Sequence, residues 1–211
     1  MNYAGMPQGM WILFSGSFRK NLSGMLAYDR KEASKTAAAA KKEYRKIISS
    51  LPAFERQDRF KMITVNCALY CAYLLALAKR PDKDEAAAYY RRAMMTRPMK
   101  WYCRITERRR FTKCDLEKKR KAAGLKAADR NRYSYNVSFL PYEDGTGYEI
   151  RYTHCGICTL MRELGLYEYV PGMCLLEYDM SKAGGITEFK RAYTFPTGGP
   201  YCDCGYLKKK R

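Results

Sequence analysis

Thr153-His154-Cys155-Gly156-Ile157-Cys158 sets the chain's one histidine beside two thiols spaced Cys-x-x-Cys. Downstream come Cys174 and Asp179, and then Gly199-Pro200-Tyr201-Cys202-Asp203-Cys204. These residue types serve three chemistries: a thiolate nucleophile with a carboxylate or imidazole to move protons, a thiol-lined binding pocket, or a metal centre. Cys155 and Cys158 share a face if they open a helix, where amide dipoles lower a thiol pKa. Cys155, Cys158, Cys174 and Cys202 can supply four ligands to zinc or another thiolate-bound metal, although Cys-x-Cys in a strand is not the usual second pair of a zinc ribbon. In a strand, Cys202 and Cys204 point to one face and Asp203 to the other. His154 is a base, a ligand or a structural residue, and neighbours in an extended segment point apart. Asp179 lies among apolar residues (Leu175, Leu176, Tyr178, Met180), so it is a surface position or a buried acid with a partner.

The elements that must position these residues fall into two halves. Residues 1–16 show no clear period and read as an extension. From Ser17 to Ser50 the chain reads helical, with a break near Ser23-Gly24, and Leu51-Pro52 ends that run. Phe60, Ile63, Cys67, Cys71, Leu74 and Ala78 form an apolar stripe on a helix over 58–79, which makes Cys67 and Cys71 core residues. Asp82 or Asp84 caps a helix over 85–96, a basic helix follows over 101–111, and 113–126 reads as basic, weakly periodic and mobile. After Arg132 the pattern switches. Strands over 133–140 and 148–153 make a hairpin, and helices follow over 155–164 and 167–183, the second broken at Pro171-Gly172. Strands over 186–195 and 201–208 close the chain. The fold class is α+β: a helical N-terminal half, residues 17–130, then a small antiparallel sheet in strand-strand-helix-helix-strand-strand order within 131–211. Residues 17–211 read as one domain.

Composition bounds the function. The chain has 211 residues, 47% hydrophobic, enough for a packed core. An odd count of nine cysteines with no secretory leader recognised (Met10 to Phe14 is too short for an apolar signal core) favours a reducing compartment, and a cytoplasmic setting is expected. No run is apolar enough for a membrane span. The formal charge of +19 is concentrated between Arg91 and Arg132 and in a tail from Lys208 to Arg211. No nucleic-acid recognition motif accompanies it, so solvated helix faces are the plainer reading and no specific nucleic-acid partner is expected.

The run Thr153-His154-Cys155, then Arg162-Glu163-Leu164-Gly165, Pro171-Gly172-Met173-Cys174 with Asp179, and Gly199-Pro200-Tyr201-Cys202-Asp203 resembles the L-2-amino-thiazoline-4-carboxylic acid hydrolase family. Upstream, Tyr44 to Pro52 and the helix that contains Asn66 and ends Leu74-Leu75-Ala76-Leu77 are also similar, so the resemblance runs from about Ser17 to Leu207. One departure is that Cys204 and Gly205 stand where the family has phenylalanine and a basic residue. The resemblance implies hydrolysis of a small cyclic amidine to an N-carbamoyl amino acid, with a small molecule as partner. Cys155 or Cys202 would then serve as nucleophile or ligand. Asp179 or Asp203 would be the acid–base and Arg151 or Arg162 the anchor for the substrate carboxylate, with His154 a further catalytic candidate of open role. The competing reading is a thiol-cluster module that binds a small molecule or metal without catalysis.

Overall fold

A computed structural model describes residues 7–55, 58, 60–127 and 129–209. Its α+β architecture has eight α-helices among these residues and one four-stranded antiparallel sheet. The ends of the expected N-terminal extension and basic tail, residues 1–6, 210 and 211, lie outside the described residues.

Residues 7–16 belong to a helix rather than an aperiodic extension. Helix α1 runs Pro7–Met25, and Met10, Phe14, Phe18 and Leu22 are buried at four-residue steps along it. It passes through Ser23-Gly24 and stops where Ala27 takes a positive φ of 57°. Asp29 then starts α2 (Arg30–Ser50) with a reciprocal capping box to Glu32.

Helix α3 (Lys61–Ala76) is the hub. An unbroken run from Cys67 to Leu74 is fully buried, so this helix is enclosed on every side rather than along one stripe. Cys67 and Cys71 are core residues, their sulfurs 3.8 Å apart. Helix α4 (Lys83–Met94) is capped by Asp82, and α5 (Arg97–Arg108) by Thr96. The segment expected to be mobile is helix α6 (Lys113–Lys126), started by Thr112 and ended by a buried lysine. Lys126 Nζ lies 2.5 Å from Asp58 Oδ2 and 2.8 Å from Ser134 Oγ, and it also pairs with Asp129.

Strands β1 (Tyr135–Pro141), β2 (Gly147–Cys155), β3 (Thr187–Lys190) and β4 (Cys202–Lys208) lie in the order β1-β2-β4-β3. Helices α7 (Gly156–Glu163) and α8 (Val170–Gly184) connect β2 to β3. Pro171 sits in the first turn of α8, where its missing N–H costs nothing, so it opens that helix instead of breaking it. Gly172 lets α8 press on α4, since a β-carbon there would stand 2.9 Å from Ala87 Cα. No helix among the described residues is long and apolar enough to cross a membrane.

Candidate functional site

A bulge in the first strand pair fixes which residues of the histidine–thiol hexad face inward. Asn136 pairs with His154, but the next residue, Val137, pairs with Tyr152, leaving Thr153 as the extra residue. Tyr152 and Cys155 consequently line the same cavity. His154 turns to the other side, where its Nε2 lies 2.9 Å from the Arg132 carbonyl oxygen. Gly156 follows without a side chain because a β-carbon would collide with the Tyr133 carbonyl oxygen at 2.1 Å.

The cavity measures about 750 Å³ and lies between the sheet and helices α1, α3, α4, α5 and α8. Cys155, Cys174, Cys202 and Cys204 all line it. Cys158 does not; it is buried in α7, on the side that packs against α3. Among the described residues no group of three or more histidine, cysteine, aspartate or glutamate side chains is disposed to hold a metal ion. The four-thiolate zinc set is therefore not assembled, and Cys158 pairs with Cys155 instead.

The charged centre of the cavity is a pair that the sequence did not single out. Arg191, just past β3, is only 8% exposed at its side chain and forms an ion pair with Glu177 of α8. Its Nη1 donates to the Cys174 carbonyl oxygen at 2.9 Å, its Nε to the Asp203 carbonyl oxygen at 3.2 Å, and its Nη2 lies 2.8 Å from Cys204 Sγ. Cys204 Sγ is in turn 3.5 Å from Glu177 Oε2. Burial works against the charge on Arg191, but Glu177 and the surrounding sulfurs outweigh it and hold the guanidinium firmly protonated. Nothing in the sequence distinguishes Arg191 from the other members of a set of 40 lysines and arginines.

The thiols are held neutral at pH 7. The hydrogen bond that the Cys155 thiol donates to Cys158, and then burial, push Cys155 well above the usual thiol range, so the helix start does not lower it. Burial raises Cys174 to about 12, with Arg191 opposing. Burial raises Cys202 to about 11, and the Phe195 N–H, 3.2 Å from its sulfur, works the other way. Cys204 is raised by burial and by Glu177.

The remaining candidates have other partners. Asp203 points away from Cys202 and Cys204, accepting the N–H groups of Ala192 at 2.8 Å and Tyr193 at 2.5 Å, and so shapes the turn that delivers Arg191. Asp179 receives both Nε and Nη2 of Arg91, at 2.6 and 2.8 Å, in a separate groove between α4, α5 and α8. Arg151 donates to Glu149 and lies over the Tyr201 ring, and Arg162 lies over Tyr167; neither lines the cavity. Position 205 faces away from the cavity, because Cys202, Cys204 and Tyr206 alternate toward it. A β-carbon at Gly205 would stand 2.8 Å from the Tyr142 hydroxyl.

A sheet-backed, helix-covered cavity with a buried cation, a carboxylate and several thiols has the size and lining of cavities that hold small molecules. The L-2-amino-thiazoline-4-carboxylic acid hydrolase family matches residues 61–206, more than half of the chain, and the chain belongs to that family. No curated protein and no solved structure matches the chain.

Proposed function

We propose that the protein hydrolyses a small cyclic amidine of the 2-amino-thiazoline-4-carboxylate type to an N-carbamoyl amino acid. The observation that carries this reading is the Glu177–Arg191 pair standing in one cavity with Cys155, Cys174, Cys202 and Cys204. Family membership supports the reaction type.

Cys202 is the preferred nucleophile, because a backbone N–H points at its sulfur and its pKa is raised less than that of Cys174. Its thiol adds to the ring carbon between sulfur and nitrogen, and the carbon–sulfur ring bond breaks with proton transfer to the departing sulfur. Water then displaces the enzyme thiol, leaving the carbonyl of the N-carbamoyl product. Glu177 is the carboxylate on hand to take and return the proton, and Arg191 fixes its orientation. The protein supplies a cation and a proton carrier in a mostly apolar space, where electrostatic effects are stronger than in water.

A non-catalytic binding module is the second reading, favoured by the raised thiols, which store little thiolate at rest. Incubation with L-2-amino-thiazoline-4-carboxylate, read by thiol release and by the mass of the product, separates the two. Thiol release by wild type and none by Cys202→Ala supports the hydrolase. Binding without release supports the module.

A further inference from the structure

The cavity is far larger than the ring it is proposed to open. A space of about 750 Å³ falls in the range of about 300–1,000 Å³ that holds drug-sized ligands, and a single small ring bearing one carboxylate fills a minor part of it. Its charged groups are Glu177, Arg191 and Arg110, and six methionines line the same space. Methionine side chains are unbranched and adaptable, suited to variable apolar shapes. The cavity also reaches the surface along an apolar rim. Leu13 of α1 and Trp101 and Tyr102 of α5 line it while being 64%, 64% and 54% exposed. Asn66 Oδ1 is a buried acceptor without a hydrogen-bond partner among the described residues, and Asn66 lines the cavity beside Tyr90, to which its amide nitrogen donates at 2.8 Å. A buried acceptor left open in a ligand-sized space is matched by a donor on the ligand.

Resting on the ring-opening reading above, we infer that the preferred substrate is a 2-amino-thiazoline-4-carboxylate bearing a long apolar substituent on its exocyclic amino nitrogen, whose remaining N–H is a donor for Asn66. The substituent lies along the methionine wall toward Leu13 and Trp101. The balance of the reaction is simple. Water adds across the carbon–nitrogen double bond, the carbon–sulfur ring bond breaks, and the oxygen becomes a urea carbonyl. One proton goes to nitrogen and one to sulfur, giving an N-(alkylcarbamoyl) cysteine with no change in oxidation state.

The test is a series of 2-alkylamino-thiazoline-4-carboxylates of increasing chain length. Thiol release by the full chain is read as kcat/KM, and binding to Cys202→Ala by calorimetry. Burying a methylene is worth about 0.8 kcal/mol, so each added methylene should raise kcat/KM and tighten binding roughly fourfold until the chain reaches the rim. Leu13→Asp and Trp101→Ala, both at exposed positions, should lower the ratio of long-chain to short-chain kcat/KM by about tenfold. Opening of the short members with no gain from length overturns the inference and leaves the ring-opening reading standing. Binding that tightens with length while no member releases thiol overturns the ring-opening reading and keeps the apolar-tail specificity. If no member binds or reacts, both fail.

Discussion

Arg191 Nη2 lies 2.8 Å from Cys204 Sγ, and the same nitrogen pairs with Glu177. A thiol and a carboxylate from different elements thus share one guanidinium, with the Cys174 and Asp203 carbonyls taking its other donors. Removing the guanidinium leaves a cavity carboxylate and two carbonyls without their donor. Arg191→Met should therefore abolish thiol release and cost about 3 kcal/mol of stability, the scale for breaking a buried pair from one side. Arg191→Lys should retain part of the stability and little activity, because an ammonium cannot reproduce the planar fork. Thermal melts beside the thiol assay check both. Full turnover in Arg191→Lys would remove the guanidinium from the mechanism.

Cys202 and Asp203 are adjacent in sequence and opposite in role. Cys202→Ala should eliminate turnover with melting nearly unchanged, since a buried thiol and a methyl differ little in packing. Asp203→Ala unpairs the N–H groups of Ala192 and Tyr193, which water can reach, and should lower stability by about 1 kcal/mol. Its loss of activity should follow from displacement of Arg191. Equal melting temperatures in the two variants would contradict this division of labour.

The motif-bearing half was legible because its signals were local: alternation for the strands, glycine at Gly165 and Gly185 after the helices, and cysteine spacing for the cavity wall. Arg191 and Glu177 were not legible, because their role arises only when β3, β4 and α8 meet. Asp179 and Asp203 drew attention as unusual carboxylates, and each has a partner supplied by another segment. The bulge at Thr153, which decides that Cys155 and not His154 faces inward, is a property of strand pairing that a single strand's sequence does not display.

Helix α6 was obscured by its weak periodicity, since its anchor is the terminal Lys126. That ammonium joins Asp58, Asp129 and Ser134 at the foot of β1. Lys126→Met should leave Asp58, itself 4% exposed, as an unpaired buried charge and cost about 3–5 kcal/mol. Hydrogen exchange should show α6 losing protection first. Unchanged protection in α6 would mean that the network does not hold the helix.

The cavity thiols make the protein sensitive to alkali. Cys202 and Cys174 titrate near 11 and 12 when folded, against an ordinary value of 9.0. Raised folded values mean that the unfolded chain loses these protons first, so the thiols' contribution is full below about pH 9 and declines as pH climbs through 11 to 12. Unfolding free energy should be level near pH 8 and fall above 9, with a shallower fall in the Cys174→Ala, Cys202→Ala double variant. The buried tyrosines Tyr70 and Tyr89, also raised by burial, add loss of the same sign at higher pH. A denaturant titration at stepped pH reads this, and identical slopes in wild type and double variant would refute the assignment.

Asp179 offers the sharpest separation between a catalytic and a structural carboxylate. Its two oxygens are both taken by Arg91, and it lines the groove beside Lys100 and Arg104 rather than the thiol cavity. The pair ties α4 to α8, with side chains 37% and 25% exposed, so solvent screens it and its worth is about 1 kcal/mol or less. Asp179→Asn should lower the melting temperature by only a few degrees, about 2–4 °C per kcal/mol for a chain of this size. Thiol release should persist, because no group in the cavity loses a partner. Glu177→Gln should differ on both counts, with turnover lost and a larger fall in melting, since glutamine keeps the shape and an acceptor oxygen for Arg191 but cannot carry the proton or balance the buried guanidinium. If Asp179→Asn eliminated turnover at an unchanged melting temperature while Glu177→Gln remained active, the acid–base role would move from the cavity to the groove, and the reacting centre with it.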